Sequence, residues 1–293
     1  MFTSPAIAMP QRLIGGIPFD FAQRVAVMAI INRTPDSFYD QGATFALDAA
    51  TEAALTAIAA GAHWVDIGGV KFAPGAPVPV EVEIARVVPV IENLRGSGAV
   101  ISVDTFHAAV AEAAIEAGAA VINDTTALSD AAMAGVVADA GATIVLTHSI
   151  ARPREPLPAP TYTDVVAEIT RFLLLRVDRA LDGGVDPGCI VIDPGHDLNK
   201  NTLHSLELTR RLGEITALGF PTLVAVSNKD FIGESTDRPK AERVNGSIAA
   251  MVACILQGAR IVRMHNVTET VDAVRMTEAI LGLRTPAHPV HNL

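Results

Sequence analysis

A short apolar, β-branched run followed by a longer segment of helical spacing recurs eight times between Val25 and Leu281. The runs are Val25 to Ile31, Trp64 to Ile67, Val100 to Val103, Ala120 to Ile122, Thr143 to Leu146, Cys189 to Ile192, Thr222 to Val226 and Arg260 to Met264. Helices are expected near Asp48 to Ala60, Glu81 to Leu94, Ala108 to Ala117, Ala131 to Ala140, Thr163 to Leu181, Leu203 to Leu218, Gly246 to Leu256 and Thr268 to Leu281. Near-continuous apolar runs belong to strands covered on both faces, and strict β-then-α alternation makes them parallel. Four glycines, Gly118, Gly141, Gly219 and Gly258, stand where a helix must stop before the next strand. An open doubly wound sheet would carry a G-x-G-x-x-G turn after its first strand, and none is present. The expectation is therefore an α/β fold, a closed (β/α)8 TIM barrel, with residues 1–293 forming a single domain: an N-terminal segment 1–23, the barrel, and a tail 285–293.

Composition narrows the function. Half of the residues are apolar and 18% are charged, enough for one large core. The formal net charge is -10 with no basic cluster, which argues against a nucleic-acid or anionic-membrane partner and for a small molecule. Cys189 and Cys254, the two cysteines, lie in apolar runs outside any zinc spacing and read as core filler. No secretory leader and no 18-residue apolar run is found, so a soluble, cytoplasmic protein is expected.

In such a barrel the C-terminal strand ends converge on one mouth. Here they carry Asn32, Asp66, Asp104, Asn123 with Asp124, His148, Asp193, Ser227 with Lys229, and Arg263 with His265. Singly, an Asp or Asn at a strand end is commonly a helix cap or turn former, and Asp66 and Asp124 read that way. Together the set exceeds what capping needs. Asp104 and Asp193 are acceptors suited to the paired N–H edge of a 2-amino-4-oxo heterocycle, and Asn123 adds a donor and an acceptor. Lys229, Arg263 and His265 suit phosphate oxygens. A heteroaromatic ring with a phosphorylated arm would satisfy both halves. A metal-dependent hydrolase would draw on His63, His148, His196, His204 and His265, but the first strand ends in Ile31-Asn32-Arg33 and lacks the His-x-His such sites use.

The strand-end motifs are "INRTPDSFYD" at 31 to 40, "DIGG" at 66, "ISVDT" at 101, "VINDT" at 121, "VIDPG" at 191, "VSNKDFIGE" at 226 and "RMHNV" at 263. In this order they resemble the motifs of the dihydropteroate synthase family, over nearly the whole chain. The resemblance implies binding of 6-hydroxymethyl-7,8-dihydropterin diphosphate and its condensation with 4-aminobenzoate, with release of pyrophosphate assisted by Mg2+. By motif position it implies that Asp104, Asn123, Asp193 and Lys229 hold the pterin, while Asn32, Arg263 and His265 hold the diphosphate and its metal. Ser227 would lie near the aminobenzoate. The family also implies a homodimer through its later helices.

The departures cluster in loops. Where the family has "GGESTRPG" after the second strand, this chain has Gly68-Gly69-Val70-Lys71-Phe72-Ala73-Pro74-Gly75. Phe72 and Ala73 replace the threonine and arginine that would close over substrate; Lys71 offers a charge from a shifted position, without a bidentate fork. Arg33 stands for an apolar residue, Asn228 for an arginine and Asp230 for a serine. His196-Asp197-Leu198-Asn199 replaces a Gly-Phe-Gly type segment, with Lys200 kept. The pterin side is better preserved than the aminobenzoate side. The reading is a divergent paralogue with weak or lost synthase activity; a fully active synthase and a non-catalytic pterin-binding or regulatory protein are the alternatives. The proline-rich Arg152 to Pro160 segment is expected to be a loop, a plain connector or a lid.

Overall fold

The computed structural model describes residues 5–33, 47–156 and 159–291. Eight parallel strands form its centre: β3 (Ala26–Asn32), β4 (Trp64–Gly68), β5 (Val100–Asp104), β6 (Val121–Asp124), β7 (Thr143–Thr147), β8 (Ile190–Asp193), β9 (Leu223–Val224) and β10 (Ile261–Met264). They hydrogen-bond in the order β8-β7-β6-β5-β4-β3-β10-β9. A bridge between Ile192 and Thr222 joins the two ends, and the ring closes. The (β/α)8 expectation holds. The helices around it are α1 (Leu47–Ala59), α2 (Val80–Asn93), α3 (Ala108–Ala117), α4 (Met133–Ala140), α5 (Val165–Asp182), α6 (Thr202–Arg210), α7 (Leu212–Thr216), α8 (Asp230–Thr236), α9 (Val244–Leu256) and α10 (Val267–Ile280).

The period of two along each strand decides what faces the barrel axis. Val65, Ile67, Ile101 and Val103 pack outward with the helices. Trp64, Met28, Val100, Val121, Val145, Val191, Leu223 and Ile261 form a separate inner cluster at the lower end. Two residues further up the same strands, with the same parity, stand Asp66, Ser102, Asn123, Thr147, Asp193 and Arg263. The interior is thus apolar below and polar above.

Segment 1–23 holds more than an extension. β1 (Gln11–Ile14) and β2 (Ile17–Asp20) form an antiparallel hairpin across the lower end of the barrel. Ile14, Phe19 and Phe21 join the inner cluster, and the Phe21 and Trp64 rings meet edge-on at 6.4 Å. Arg12 Nη1 donates to the Ile190 carbonyl at 2.8 Å, tying the plug to β8. The Gly15-Gly16 pair between two short apolar runs was its sequence signal.

Two helix expectations are corrected. The single helix over Leu203 to Leu218 is broken at Arg211 into α6 and α7. Arg211 there ion-pairs with Glu207 and Glu214 at helical spacing and with Asp164, the N-cap of α5, a contact that no periodicity encodes. The helix after β9 is also preceded by α8, because Asp197 accepts from the Asp230 and Phe231 amides and caps its first turn. Cys254 is buried and Cys189 half-buried, both as free thiols. Among the described residues no helix is long and apolar enough to cross a membrane.

Candidate functional site

The polar upper layer is one connected network. Asp66, fully buried, accepts from Ser102 Oγ at 2.6 Å on Oδ1, and from Asn123 Nδ2 at 3.0 Å and Arg263 Nε at 2.6 Å on Oδ2. Arg263 Nη2 also donates to Asp104 Oδ2 at 3.0 Å. The guanidinium therefore joins β4, β5 and β10 across the barrel. Reading Asp66 as a cap or turn residue missed this: it lies within β4 with inward parity, an acid in an otherwise buried strand, and that was the available signal. Asp124 does behave as a turn former, accepting from the Thr126 and Leu128 amides. Parity separates it from its inward neighbour Asn123.

Arg263 keeps its charge, because the attraction of Asp66 and Asp104 outweighs a desolvation that acts the other way. Burial pushes the Asp104 carboxyl up; Arg263 opposes this, and the nearby Asp66 and Glu83 add to it. Asp193 is likewise raised by burial, relieved by the Gly195 amide at 2.7 Å and by Lys229 and Lys200. Asn123 is buried, and its Oδ1 has no hydrogen-bond partner. An unpaired buried acceptor in a polar layer is costly until a donor arrives.

On the β9 and β10 side, His265 Nδ1 lies 2.9 Å from Ser227 Oγ. Lys229 Nζ donates to the His196 carbonyl at 2.5 Å. Burial lowers its pKa, against the pull of Asp197 and Asp193. The turn after β8 is fixed by Lys200, whose Nζ donates to the Gly195 and Leu198 carbonyls and contacts His148 Nδ1 at 2.9 Å. Burial brings Lys200 down to about 7, and burial and Lys200 together lower His148, so a neutral imidazole can accept from the ammonium. His196 is buried against Phe231, with Nε2 3.2 Å from Thr209 Oγ1. His63 lies at the opposite end, contacting Arg24 and accepting from the Val27 amide, and His204 completes the capping box of α6. Among the described residues no group of three metal-ligating side chains forms.

Asn32 ends β3 beside the mouth; the amide oxygen lies 3.4 Å from where a Cβ on Gly68 would stand. Thr34, Pro35, Asp36, Ser37 and Phe38 lie outside the described residues. Arg33 turns away from the mouth, its Nη1 donating to the Ala85 and Arg86 carbonyls of α2. Pro89 has no N–H to give Ala85, so Arg33 satisfies a carbonyl the helix leaves open.

The turn after β4 is held from outside. Arg154, in the turn after β7, donates its amide to the Phe72 carbonyl at 3.0 Å and accepts the Gly75 amide at 3.1 Å. Its guanidinium donates to the carbonyls of Ala73 at 2.8 Å, Ala76 at 3.1 Å and Lys71 at 3.4 Å. A Cβ on Gly75 would overlap that guanidinium, which would have to shift to make room. The Arg152 to Pro160 segment is thus a fastening for the β4 turn, with 157–158 outside the described residues. Lys71 lies in reach of Lys240 beyond α8: burial lowers Lys240, Asp230 opposes, and Arg243 and Lys71 lower it further.

An inward ring of carboxylates, an amide and an arginine above an apolar floor defines a small-molecule-binding (β/α)8 barrel with its site at the strands' C-terminal end. The pterin binding enzyme family model matches residues 28–265. "Inactive dihydropteroate synthase 2" of Mycobacterium leprae is 43% identical over 279 residues, 93% of this chain and 96% of that protein. The dihydropteroate synthase of Escherichia coli K12 is 38% identical over 260 residues, 88% of this chain and 92% of that protein. Among solved structures, Xanthomonas albilineans dihydropteroate synthase with 4-aminobenzoic acid superposes with a TM-score of 0.86 at 40% identity, covering 95% of this chain and all of that one. The chain belongs to the pterin-binding enzyme family, as its motifs implied.

Proposed function

We propose that the chain binds 6-hydroxymethyl-7,8-dihydropterin diphosphate and is a divergent dihydropteroate synthase in which condensation with 4-aminobenzoate is weak or lost. The observation that carries the binding is the Asp66–Arg263–Asp104 network, with the buried, unpaired Asn123 Oδ1 beside it. A pterin's paired N–H edge offers the donors that Asn123 Oδ1 and the Asp193 carboxylate can accept. Lys229 and Ser227 would border the ring and the amine.

In the condensation the C–O bond to diphosphate breaks, a C–N bond to the arylamine forms, and the amine loses a proton. The carbon becomes cation-like as diphosphate leaves; buried carboxylates stabilise it, and Arg263 and His265 face the departing charge. Mg2+ would add Lewis-acid neutralisation of the diphosphate. The chain's donors fit an ion carried mainly by phosphate oxygens and water, since Asn32 offers a single amide oxygen.

Loss of turnover is supported by the β4 turn. The positions where the family carries threonine and arginine present Phe72 and Ala73, and their carbonyls are bound to Arg154. Homodimer formation is part of this reading; Met276 and Ile280, one turn apart on α10, are exposed apolar side chains suited to it.

Calorimetry with the dihydropterin diphosphate, followed by a pyrophosphate-release assay with 4-aminobenzoate, tests the proposal. Binding with little or no release is expected, and Phe72→Thr/Ala73→Arg should raise the release. Turnover equal to that of an active relative would sink the lost-activity reading. Failure to bind the pterin would undo the roles of Asp104, Asn123 and Asp193.

A further inference from the structure

Behind the mouth, a cavity of about 770 Å³ opens between the turn after β6, the turn after β7 and one face of α5. Phe172, Arg176 and Arg179 are spaced four and then three residues apart, on one helical face, and Arg152 comes from the opposite wall. The Arg176 guanidinium lies over the Phe172 ring, 4.8 Å from its centroid. Among the described residues neither Arg176 nor Arg179 makes a salt bridge. Arg152 meets Glu155 at 3.8 Å, with both side chains mostly exposed. Burial lowers the Arg176 pKa, Arg179 lowers it further, and Asp124 opposes both. A chain of net charge -10 thus gathers three arginines around one hollow, where Arg176 and Arg179 repel each other.

Guanidinium forks match phosphate oxygens, and Phe172 with Ile150 supplies an apolar wall beside them. We propose that this cavity is a second binding site, for a phosphate monoester with a flat apolar body, and that its occupant tightens the turn over the barrel mouth. The route is covalent and short. Arg152 faces the cavity, whereas Arg154, two residues on, grips the carbonyls of Lys71, Phe72, Ala73 and Ala76. An occupant that orders the β7 turn on one side orders its grip on the other. The binding site stands apart from the reading of the mouth; only its effect on the β4 turn rests on that reading.

Phenyl phosphate is a suitable probe, titrated by calorimetry into the intact chain with and without saturating dihydropterin diphosphate. Binding should persist when the mouth is filled, weaken about tenfold or more in Arg176→Gln/Arg179→Gln, and weaken less in Arg176→Lys, which keeps the charge without the fork, while an unchanged denaturation midpoint in each variant controls for folding. Binding that the double variant leaves unchanged, or that the pterin displaces, would overturn the site. If the pterin itself fails to bind, the arginine variants still decide the question. Hydrogen exchange of residues 71–76 should slow when phenyl phosphate is added to the wild type and not in Arg154→Ala. Unchanged exchange in the wild type would overturn the coupling.

Discussion

Asp66, Asp104, Asn123, Asp193 and Arg263 stand on strands whose pairing register fixes them, whereas Lys71, Phe72 and Ala73 hang on a turn that a second turn holds in place. The inner wall is cross-linked, with Asp66, Asn123 and Asp193 buried, Asp104 and Arg263 half-buried, and one guanidinium shared by two carboxylates. The cover is half-exposed, and its fastening is backbone carbonyls bound to Arg154. A wall residue cannot change without stranding a buried charge. A cover residue can change freely, because a carbonyl offers itself whatever side chain it carries. The relation to synthases therefore survives in the wall, and the departures lie in the loops: in the cover, and also at Arg33, Asn228, Asp230 and residues 196–199.

Arg263→Met would break that contrast hardest. It leaves Asp66 buried with only Ser102 and Asn123 as donors, and Asp104 without its cation. Removing one partner of a buried pair costs about 3–5 kcal/mol. Chemical denaturation should show a loss of that order, and calorimetry should show no pterin binding. Hydrogen exchange at residues 71–76 should stay as in the wild type, because the cover does not lean on Arg263. Faster exchange there would mean that wall and cover are one unit.

The wall was largely legible in the sequence and the cover was not, for a physical reason. Strand parity and the convergence of barrel strand ends are geometric rules, so Asn32, Asp104, Asn123, Asp193, Ser227, Arg263 and His265 could be placed before any coordinates. Asp66 escaped because a carboxylate near a strand end looks like a cap, and only the register with Ser102 brings it under Arg263. The Arg154 fastening joins residues about eighty positions apart through main-chain atoms, which leave no side-chain pattern. The β1–β2 plug was missed because four-residue strands carry too little periodicity. The break at Arg211 comes with an ion pair to Asp164, the N-cap of α5, which lies far away in sequence.

Glu83 tests the boundary between the two regions. It is fully buried on α2 beneath Gly69, whose added Cβ would stand 3.1 Å from the Glu83 Cγ. The Thr105 hydroxyl offers partial relief, but neither carboxyl oxygen completes a hydrogen bond. Burial raises its pKa from 4.5 to about 7, against Thr105 and Arg86. Between those values the folded state holds a proton that the unfolded chain has released. Stability therefore falls as pH climbs from about 4.5 to 7, by about 1–3 kcal/mol for this group. Glu83→Gln, the same shape without the charge, should remove that fall and leave the variant more stable than the wild type at pH 8. Denaturation at pH 5 and pH 8 measures it. An identical pH dependence in the two proteins would mean that Glu83 is ionised throughout.

The smallest effect is expected at the root of the mouth, where Arg33 departs from its relatives without entering the site. Its Nη1 donates to the Ala85 carbonyl, which lacks its i+4 donor because Pro89 has no N–H. Arg33→Ala should cost about 1 kcal/mol, the worth of one hydrogen bond, and leave pterin binding unchanged. Pro89→Ala restores an N–H four residues on from Ala85, so in that background Arg33→Ala should cost less. A double-mutant cycle on denaturation midpoints reads the difference as a coupling energy. Coupling near zero would mean that the Ala85 carbonyl gains nothing from Arg33, and a fall in pterin affinity would return Arg33 to the site. The expected result, coupling without loss of affinity, makes the Arg33 departure a repair to α2. The departures left to account for a difference in function would then be those of the β4 turn, Asn228, Asp230 and residues 196–199.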